Sequence, residues 1–151
     1  GYFSAFLGIH IFGLSGAQVF IPGIFAIIGH NWPVFFHFQG GRGVATLASI
    51  ALAYDFERAI VIFIAAIPFI IVRVSGLTPF VIIAGLIFFE PDAAGLLLAL
   101  AFIMILRRLQ GEWEVFRVSP KKLWVLKNII LYDRATANPH SWKDIFKRHY
   151  S

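Results

Sequence analysis

Six apolar runs with short polar interruptions fill the first 106 residues, and this pattern constrains the fold more than any other feature. The runs lie near 2–12, 17–29, 44–54, 59–72, 79–89 and 93–106. Across the chain 59% of residues are hydrophobic and 14% are charged, whereas soluble domains carry about 25% charged residues. So little polar surface predicts an all-α fold, a polytopic transmembrane helical bundle with about five or six helices in this fragment.

The apolar runs are short for membrane helices. Several contain about 11 to 14 residues between charged or Gly/Pro breaks, whereas a straight span needs about 20 residues. Some helices are therefore expected to be short or re-entrant. The sequence begins with Gly1 and enters an apolar run at once. We therefore expect a fragment or processed chain that begins within or near a membrane helix.

Charge divides the chain into two parts. Residues 1–106 hold three basic and four acidic side chains, whereas residues 107–151 hold ten basic and four acidic ones. This predicts a transmembrane bundle over 1–108, with a glycine-rich loop at 29–46, and a basic cytoplasmic or interfacial tail over 109–151. Within the tail, segment 119–132 mixes lysines with Trp, Tyr and apolar residues, which favours a helix at the membrane interface. A solvated tail is the alternative.

The distribution of charge also predicts sidedness. The loops at 55–58 and 90–92 fall on one side, and the 29–42 stretch, Arg73 and the basic tail fall on the other. The positive-inside bias puts the glycine-rich loop and the tail on the cytoplasmic side of a multi-pass plasma-membrane protein. The net charge of +5 lies entirely in the tail, so the lipid bilayer, and not nucleic acid, is the expected partner.

The stretch 29–46 carries the residues best suited to chemistry. Gly40, Gly41 and Gly43 surround Arg42, and an apolar run begins directly afterwards. Glycine lets backbone N–H groups converge on an anion, and a helix N-terminus adds positive partial charge. The Arg42 guanidinium supplies a cation that matches phosphate geometry. The pattern therefore predicts a phosphate-binding loop, with a packing loop between close helices as the alternative.

Four polar residues, His30, Asn31, His37 and Gln39, precede the cluster of glycines. His30 could act as a base, as a hydrogen-bond donor to substrate or as a bond that closes the loop, and Asn31 stands beside it. Polar side chains at membrane depth are costly and usually functional. The chain has no cysteine, and its histidines and carboxylates lack metal-ligand spacing, so no metal site is predicted.

At these residues the chain resembles a known family. The segment reads Gly29-His30-x-x-Pro33-Val34-Phe35-x-x-Phe38-x-Gly40-Gly41-Arg42-Gly43-Val44-Ala45-Thr46. It resembles the second signature of the bacterial acyl-phosphate:glycerol-3-phosphate acyltransferases, commonly G-H-x-x-P-V-F-x-x-F-K-G-G-K-G-V-A-T. Arg42 stands at the second lysine of that signature and keeps its charge. Gln39 stands at the first lysine and does not.

The resemblance implies an enzyme that transfers a fatty acyl group from acyl phosphate to glycerol-3-phosphate, giving lysophosphatidate for phospholipid synthesis. It implies that Gly40, Gly41, Arg42, Gly43 and Thr46 bind the substrate phosphate, while His30 and Asn31 serve catalysis by ordering the loop. Glycerol-3-phosphate and acyl phosphate are then the expected small-molecule partners, and no cofactor is implied.

Two other signatures of the family depart from this sequence. The first, a Ser-Gly-Asn-x-Gly-Ala-Thr-Asn stretch, is absent, and truncation before Gly1 would account for its loss. The third reads roughly H-R-x-N-I-x-R-L-x-x-G-x-E. With its glycine aligned on Gly111, this third signature puts Arg107 on the arginine. The resemblance implies that Arg107 contacts the site from this additional motif. Glu112 or Glu114 then stands in place of the last acid. Ala101 and Met104 then replace its histidine and asparagine. The alternative function is a catalytically altered membrane relative that binds a phosphorylated lipid precursor without this turnover.

Overall fold

The computed structural model describes residues 1–37, 40–72 and 74–132. Within these ranges every regular element is helical, which confirms the predicted all-α class. The α-helices are α1 (Tyr2–His10), α2 (Phe20–Asn31), α3 (Val44–Tyr54), α4 (Phe56–Ile71), α5 (Thr78–Phe89), α6 (Ala94–Gly111), α7 (Trp113–Val118) and α8 (Lys122–Tyr132). Short 3-10 turns lie at Gly16–Val19, Val34–Phe36, Ser75–Leu77 and Pro91–Ala93.

None of the helices in the described ranges combines the length and the hydropathy that a membrane crossing requires. The helix α6 has 18 residues and therefore rises about 27 Å at about 1.5 Å per residue. The structure thus confirms that the fold is all-α, whereas its transmembrane position stays a prediction.

The six predicted runs correspond to α1–α6, although most boundaries shift by one or more residues. Two of these shifts have a clear physical reason. The helix α4 begins at Phe56, ahead of the predicted residue 59, because the Asp55 carboxylate accepts a hydrogen bond from the Arg58 N–H at 3.0 Å and caps the helix. The helix α6 continues past the predicted residue 106 to Gly111. Its Arg108 side chain is buried and donates to the Gly76 carbonyl at 2.7 Å, so the charge does not end the helix.

One apolar core joins α1–α6. The helix α1 packs on α3, α4 packs on α5, and α6 packs on α2 and α5. The fully buried core side chains from α2, α3 and α6 are Phe20, Ile27, Leu47, Ile50, Leu97, Leu100 and Met104. Burial of such a side chain stabilises a fold by about 1.5–3 kcal/mol, so these contacts fix α2, α3 and α6 against one another. The three helices carry the residues of the candidate site.

Contacts between loops define one polar end of the bundle. The Tyr54 hydroxyl donates to the Glu90 carboxylate at 2.6 Å. Arg58 lies 3.1 Å from the Asp55 carboxylate and 3.7 Å from that of Glu90. These contacts join the 55–58 and 90–92 loops, which the charge pattern grouped on one side. Arg73, grouped with the other side, lies outside the described residues.

The hydroxyl of Tyr54 tests how much this polar end contributes to stability. Replacing Tyr54 with Phe should lower the free energy of unfolding by about 1 kcal/mol, because the change removes a half-buried hydrogen bond to a carboxylate. Thermal unfolding of the purified protein measures the loss. Tyr2→Phe, which removes the hydroxyl of a largely exposed tyrosine, is the matched control and should leave the midpoint unchanged. Equal midpoints for the two variants would show that the Tyr54–Glu90 bond does not stabilise the fold.

The basic tail begins with two helices that fold back on the bundle. The segment predicted as an interfacial helix over 119–132 forms α8, and α7 was not predicted. Val125 and Ile129 of α8 are buried against Leu109 and Phe116. The division into parts at residue 108 stays a prediction, although α6 runs through that position. The tail beyond Tyr132 lies outside the described residues.

Candidate functional site

The glycine-rich loop connects α2 to α3. His30 and Asn31 are the last two residues of α2, and the chain then turns through the 3-10 turn Val34–Phe36. His37 has a positive φ of 52° and its side chain is exposed. Gln39, the residue at the first lysine of the signature, lies outside the described residues. From Gly40 the chain returns toward the end of α2, so the loop closes on itself.

Close backbone approach explains the first two glycines. The Gly41 N–H donates to the His30 carbonyl at 3.1 Å, which closes the loop. A Cβ atom on Gly40 would collide with the His30 carbonyl, and would lie 2.6 Å from the Asn31 carbonyl and 2.5 Å from Pro33 Cδ. A Cβ atom on Gly41 would collide with His30 Nε2. At Gly40 the obstacles include backbone atoms, so only glycine fits there without displacing the end of α2, whereas at Gly41 the His30 ring would have to move aside.

Gly43 begins α3 in a conformation that suits glycine. Its φ is 76°, and no side chain caps the helix at this point. The first ladder hydrogen bond of α3 runs from the Leu47 N–H to the Gly43 carbonyl at 2.8 Å. The N–H groups ahead of Leu47 therefore have no acceptor within the helix, and they give this end a positive partial charge. Thr46 lies in this first turn and is 8% exposed.

Arg107 binds the loop from the C-terminal end of α6. Its Nε donates to the Gly41 carbonyl at 3.2 Å and its Nη2 donates to the Gly40 carbonyl at 2.9 Å. The guanidinium also lies over the Trp32 ring, with 5.9 Å between Cζ and the ring centroid. Arg107 thus holds two consecutive carbonyl groups of the loop.

This set of contacts is completed by Trp32 at the end of α2 and by Gln110 and Glu112 at the end of α6. The Trp32 indole N–H donates to Gln110 at 2.5 Å, and Gln110 also accepts from Arg107 at 3.4 Å. Arg42 forms an ion pair with Glu112 at 3.5 Å, with the Arg42 side chain 35% exposed. Trp32 and Gln110 were missed at the sequence level, because no local pattern links residues so far apart. Glu112 was one of two acids considered there.

Asn31 lies beside Gly43, on the buried side of the loop. Its side chain is fully buried, and a Cβ atom on Gly43 would be 3.1 Å from its Oδ1 atom. Neither amide atom of Asn31 has a hydrogen-bond partner in the part of the chain that the structure describes. A buried polar group without a partner costs about 1–3 kcal/mol, and this one stands beside the N-terminus of α3.

The structure therefore brings most of the predicted site residues together. His30, Asn31, Gly40, Gly41, Arg42 and Gly43 form one closed loop, Thr46 lies one turn into α3, and Arg107 contacts the loop from α6. Ala101 and Met104 stand apart from it. Met104 is fully buried in the apolar core, and Ala101 packs against that core. These two positions contribute packing and no polar group.

Comparisons with known proteins show the family of this chain. The sequence model of the family described as glycerol-3-phosphate acyltransferase matches residues 1–113. The glycerol-3-phosphate acyltransferase 5 of Dehalococcoides mccartyi is 29% identical over 142 residues, 86% of this chain and 61% of that protein. The glycerol-3-phosphate acyltransferase of Neisseria meningitidis is 33% identical over 119 residues, 74% of this chain and 59% of that protein.

A shorter match is closer in sequence. The glycerol-3-phosphate acyltransferase of Paraburkholderia phymatum is 49% identical over 55 residues, 36% of this chain and 24% of that protein. No solved structure matches the chain. The matched region spans 61% and 59% of the length of the Dehalococcoides and Neisseria relatives. Since the family model covers residues 1–113, the chain belongs to the glycerol-3-phosphate acyltransferase family.

Proposed function

We propose that this protein transfers a fatty acyl group from acyl phosphate to glycerol-3-phosphate, giving lysophosphatidate for phospholipid synthesis. The observation that carries the proposal is the closed glycine loop at the N-terminus of α3, with Arg42 at its edge. Backbone N–H groups at a helix N-terminus bind phosphate well, and the family relatives named above are called glycerol-3-phosphate acyltransferases.

The reaction asks for positioning and charge stabilisation. The glycerol-3-phosphate hydroxyl oxygen attacks the carbonyl carbon of acyl phosphate, and an ester bond forms. The bond from that carbon to the phosphate oxygen breaks, and the hydroxyl proton leaves with inorganic phosphate. Acyl phosphate is already activated, so the protein's contribution is to orient two reactants and stabilise developing negative charge.

Each residue of the loop then has a role. The Arg42 guanidinium and the N–H groups at the start of α3 hold the substrate phosphate, Gly40, Gly41 and Gly43 let the loop backbone approach it, and Thr46 adds a hydroxyl in the first turn of α3. His30 acts as a positioning residue, because its carbonyl closes the loop onto Gly41. The buried side chain of Asn31 lies beside Gly43, where its amide is available to order the loop. Arg107 positions the loop through the carbonyl groups of Gly40 and Gly41.

The same proposal includes a multi-pass position in the plasma membrane, with the loop and the tail on the cytoplasmic side. Large apolar side chains are exposed along several helices between the two polar ends of the bundle. On α4, α2 and α6 they are Ile60, Val61, Ile64, Ile67, Ile70, Ile71, Ile21, Phe25, Leu98 and Phe102. Contiguous exposed apolar surface of this kind usually marks a protein or membrane interaction. Lipid is the partner that best fits the extent of this apolar surface.

Replacing Arg42 with alanine tests the phosphate role. KM for glycerol-3-phosphate should rise about 10- to 100-fold, because a charge-assisted hydrogen bond contributes about 1.5–3 kcal/mol. The measurement is lysophosphatidate formation from acyl phosphate by protein reconstituted in vesicles. Arg42→Lys, which keeps the cation and places the family's usual residue there, is the matched control and should retain most of the affinity. An unchanged KM in Arg42→Ala would exclude this role.

A second candidate, binding of a phosphorylated lipid precursor without turnover, rests on Ala101 and Met104 and is not favoured by the relatives, which are named glycerol-3-phosphate acyltransferases. Where the family signature has histidine and asparagine, these apolar residues pack in or against the core. The chain would then bind a phosphorylated lipid precursor without turning it over. Equilibrium binding of glycerol-3-phosphate, measured beside lysophosphatidate formation on the same sample, separates the two functions. Binding without product favours the second candidate.

A further inference from the structure

The tail helix α8 is attached to the bundle by one of its faces. Val125, Asn128 and Ile129 are buried on that side. At Gly76 a Cβ atom would collide with the Ile130 carbonyl, so the backbone of α8 rests directly on the turn before α5. The bundle thus fixes the rotation of α8 about its own axis and determines which side chains face outward.

The outward side of α8 is apolar as well. Leu123 is 83% exposed and Trp124 is 50% exposed, and Val118 just before the helix is 80% exposed. Leu126 and Ile130, which are half-buried, follow Leu123 at spacings of three and seven residues, so all three lie on one side of the helix. Exposed apolar surface of this kind usually marks contact with a protein or a membrane. The bundle covers only one side of α8.

Basic residues surround this outward apolar surface. Arg117, Lys121, Lys122 and Lys127 are all exposed, and Glu114 is the acidic residue between 113 and 132. Lysine and arginine can lay their aliphatic stems along apolar surface and keep the charged group in the polar layer. Exposed tryptophan beside them is typical of side chains at the headgroup level of a membrane.

We propose that the outer surface of α7 and α8 binds the headgroup layer of a bilayer that contains anionic phospholipid. Four exposed cations against one carboxylate complement the negative charge of such a surface. A second copy of this chain fits less well, since two such surfaces would repel each other and lysine is depleted in protein interfaces. This contact lies beyond the acyl transfer proposed above, and beyond residues 1–113 that the family model matches.

The chain has no cysteine, so a Leu123→Cys variant of the full chain can carry one environment-sensitive fluorophore. The labelled protein is reconstituted in nanodiscs of phosphatidylcholine, alone or mixed with phosphatidylglycerol. We expect blue-shifted emission and stronger quenching by brominated lipid in the anionic discs. High salt should reduce both effects because it screens the attraction.

Charge reversal provides the decisive comparison. The labelled protein with Lys121→Glu, Lys122→Glu and Lys127→Glu should lose the lipid-dependent shift, while circular dichroism reports whether α8 remains helical. Neutral replacement of the same lysines by glutamine, which is gentler on folding, should reduce the shift. The proposal is overturned if emission is the same in both lipids or if the shift survives charge reversal. A shift that follows protein density, with no dependence on lipid charge, would also overturn it and identify a second copy as the occupant.

Discussion

Replacing Gly40 with alanine is expected to reduce kcat/KM for lysophosphatidate formation by about 10- to 100-fold. The added Cβ atom would meet the carbonyl oxygens of His30 and Asn31 and the ring of Pro33. Two of these obstacles are backbone atoms at the end of α2, which cannot rotate away as a side chain can. Overpacking of this kind costs about 1–3 kcal/mol, and each 1.4 kcal/mol corresponds to tenfold in rate or affinity.

Gly29→Ala is the matched control for this prediction. Gly29 belongs to the same signature, but a Cβ atom at that position would meet nothing within 4 Å. Alanine should be tolerated there, with kinetics close to those of the parent protein. Comparing the two variants shows whether glycine is required because of close backbone approach or merely because the position belongs to the signature. If Gly29→Ala is as damaging as Gly40→Ala, close backbone approach does not explain the requirement for glycine.

Replacing Arg107 with alanine should have an effect of comparable size. The change removes two hydrogen bonds from a guanidinium to the carbonyl groups of Gly40 and Gly41, and bonds from charged donors contribute about 1.5–3 kcal/mol each. Partial relaxation of the loop would offset some of that loss, so we expect kcat/KM to fall about 100-fold. Hydrogen exchange at the Gly41 amide, which is bonded to the His30 carbonyl, should become faster.

Two variants make the Arg107 prediction specific. Arg107→Lys keeps the charge but cannot donate two hydrogen bonds in fork geometry, so it should recover only part of the loss. Arg58→Ala removes a guanidinium that pairs with Asp55 and Glu90 at the other polar end, and it should leave exchange at Gly41 unchanged. Parental kinetics in Arg107→Lys would mean that Arg107 acts only through its charge.

Much of the helical framework could be predicted because local sequence signals determine where its helices begin and end. The run 44–54 coincides with α3, and α5 begins with Pro79 in its first turn, where proline is well tolerated. The glycine loop was also predictable, since Gly43 requires a positive φ and Gly40 lies against other backbone atoms. In these places the residue type and the backbone conformation are directly linked.

The parts that could not be predicted depend on contacts between distant segments. Arg107 was placed at a motif position by resemblance, but no local pattern indicates that its guanidinium faces carbonyl oxygens instead of an anion. The ion pair between Arg42 and Glu112 and the Trp32–Gln110 hydrogen bond join α6 to the loop in the same way. Docking of α8 escaped prediction too, because its two apolar sides look alike in sequence and only one meets the bundle.

The hydrogen bonds of the glycine loop have a mechanical consequence. The loop is tied to α2 through the Gly41 amide and to α6 through the carbonyl groups of Gly40 and Gly41. A trans peptide directs its C=O and N–H groups in opposite directions, so the loop spans the space between the two helices like a strut. Sliding or rotation of α6 relative to α2 would therefore twist the peptide planes of the glycine-rich loop. We therefore expect the two arginines to differ in tolerance to lysine, which should replace Arg42 better than Arg107, because the two hydrogen bonds from Arg107 require the shape of the guanidinium.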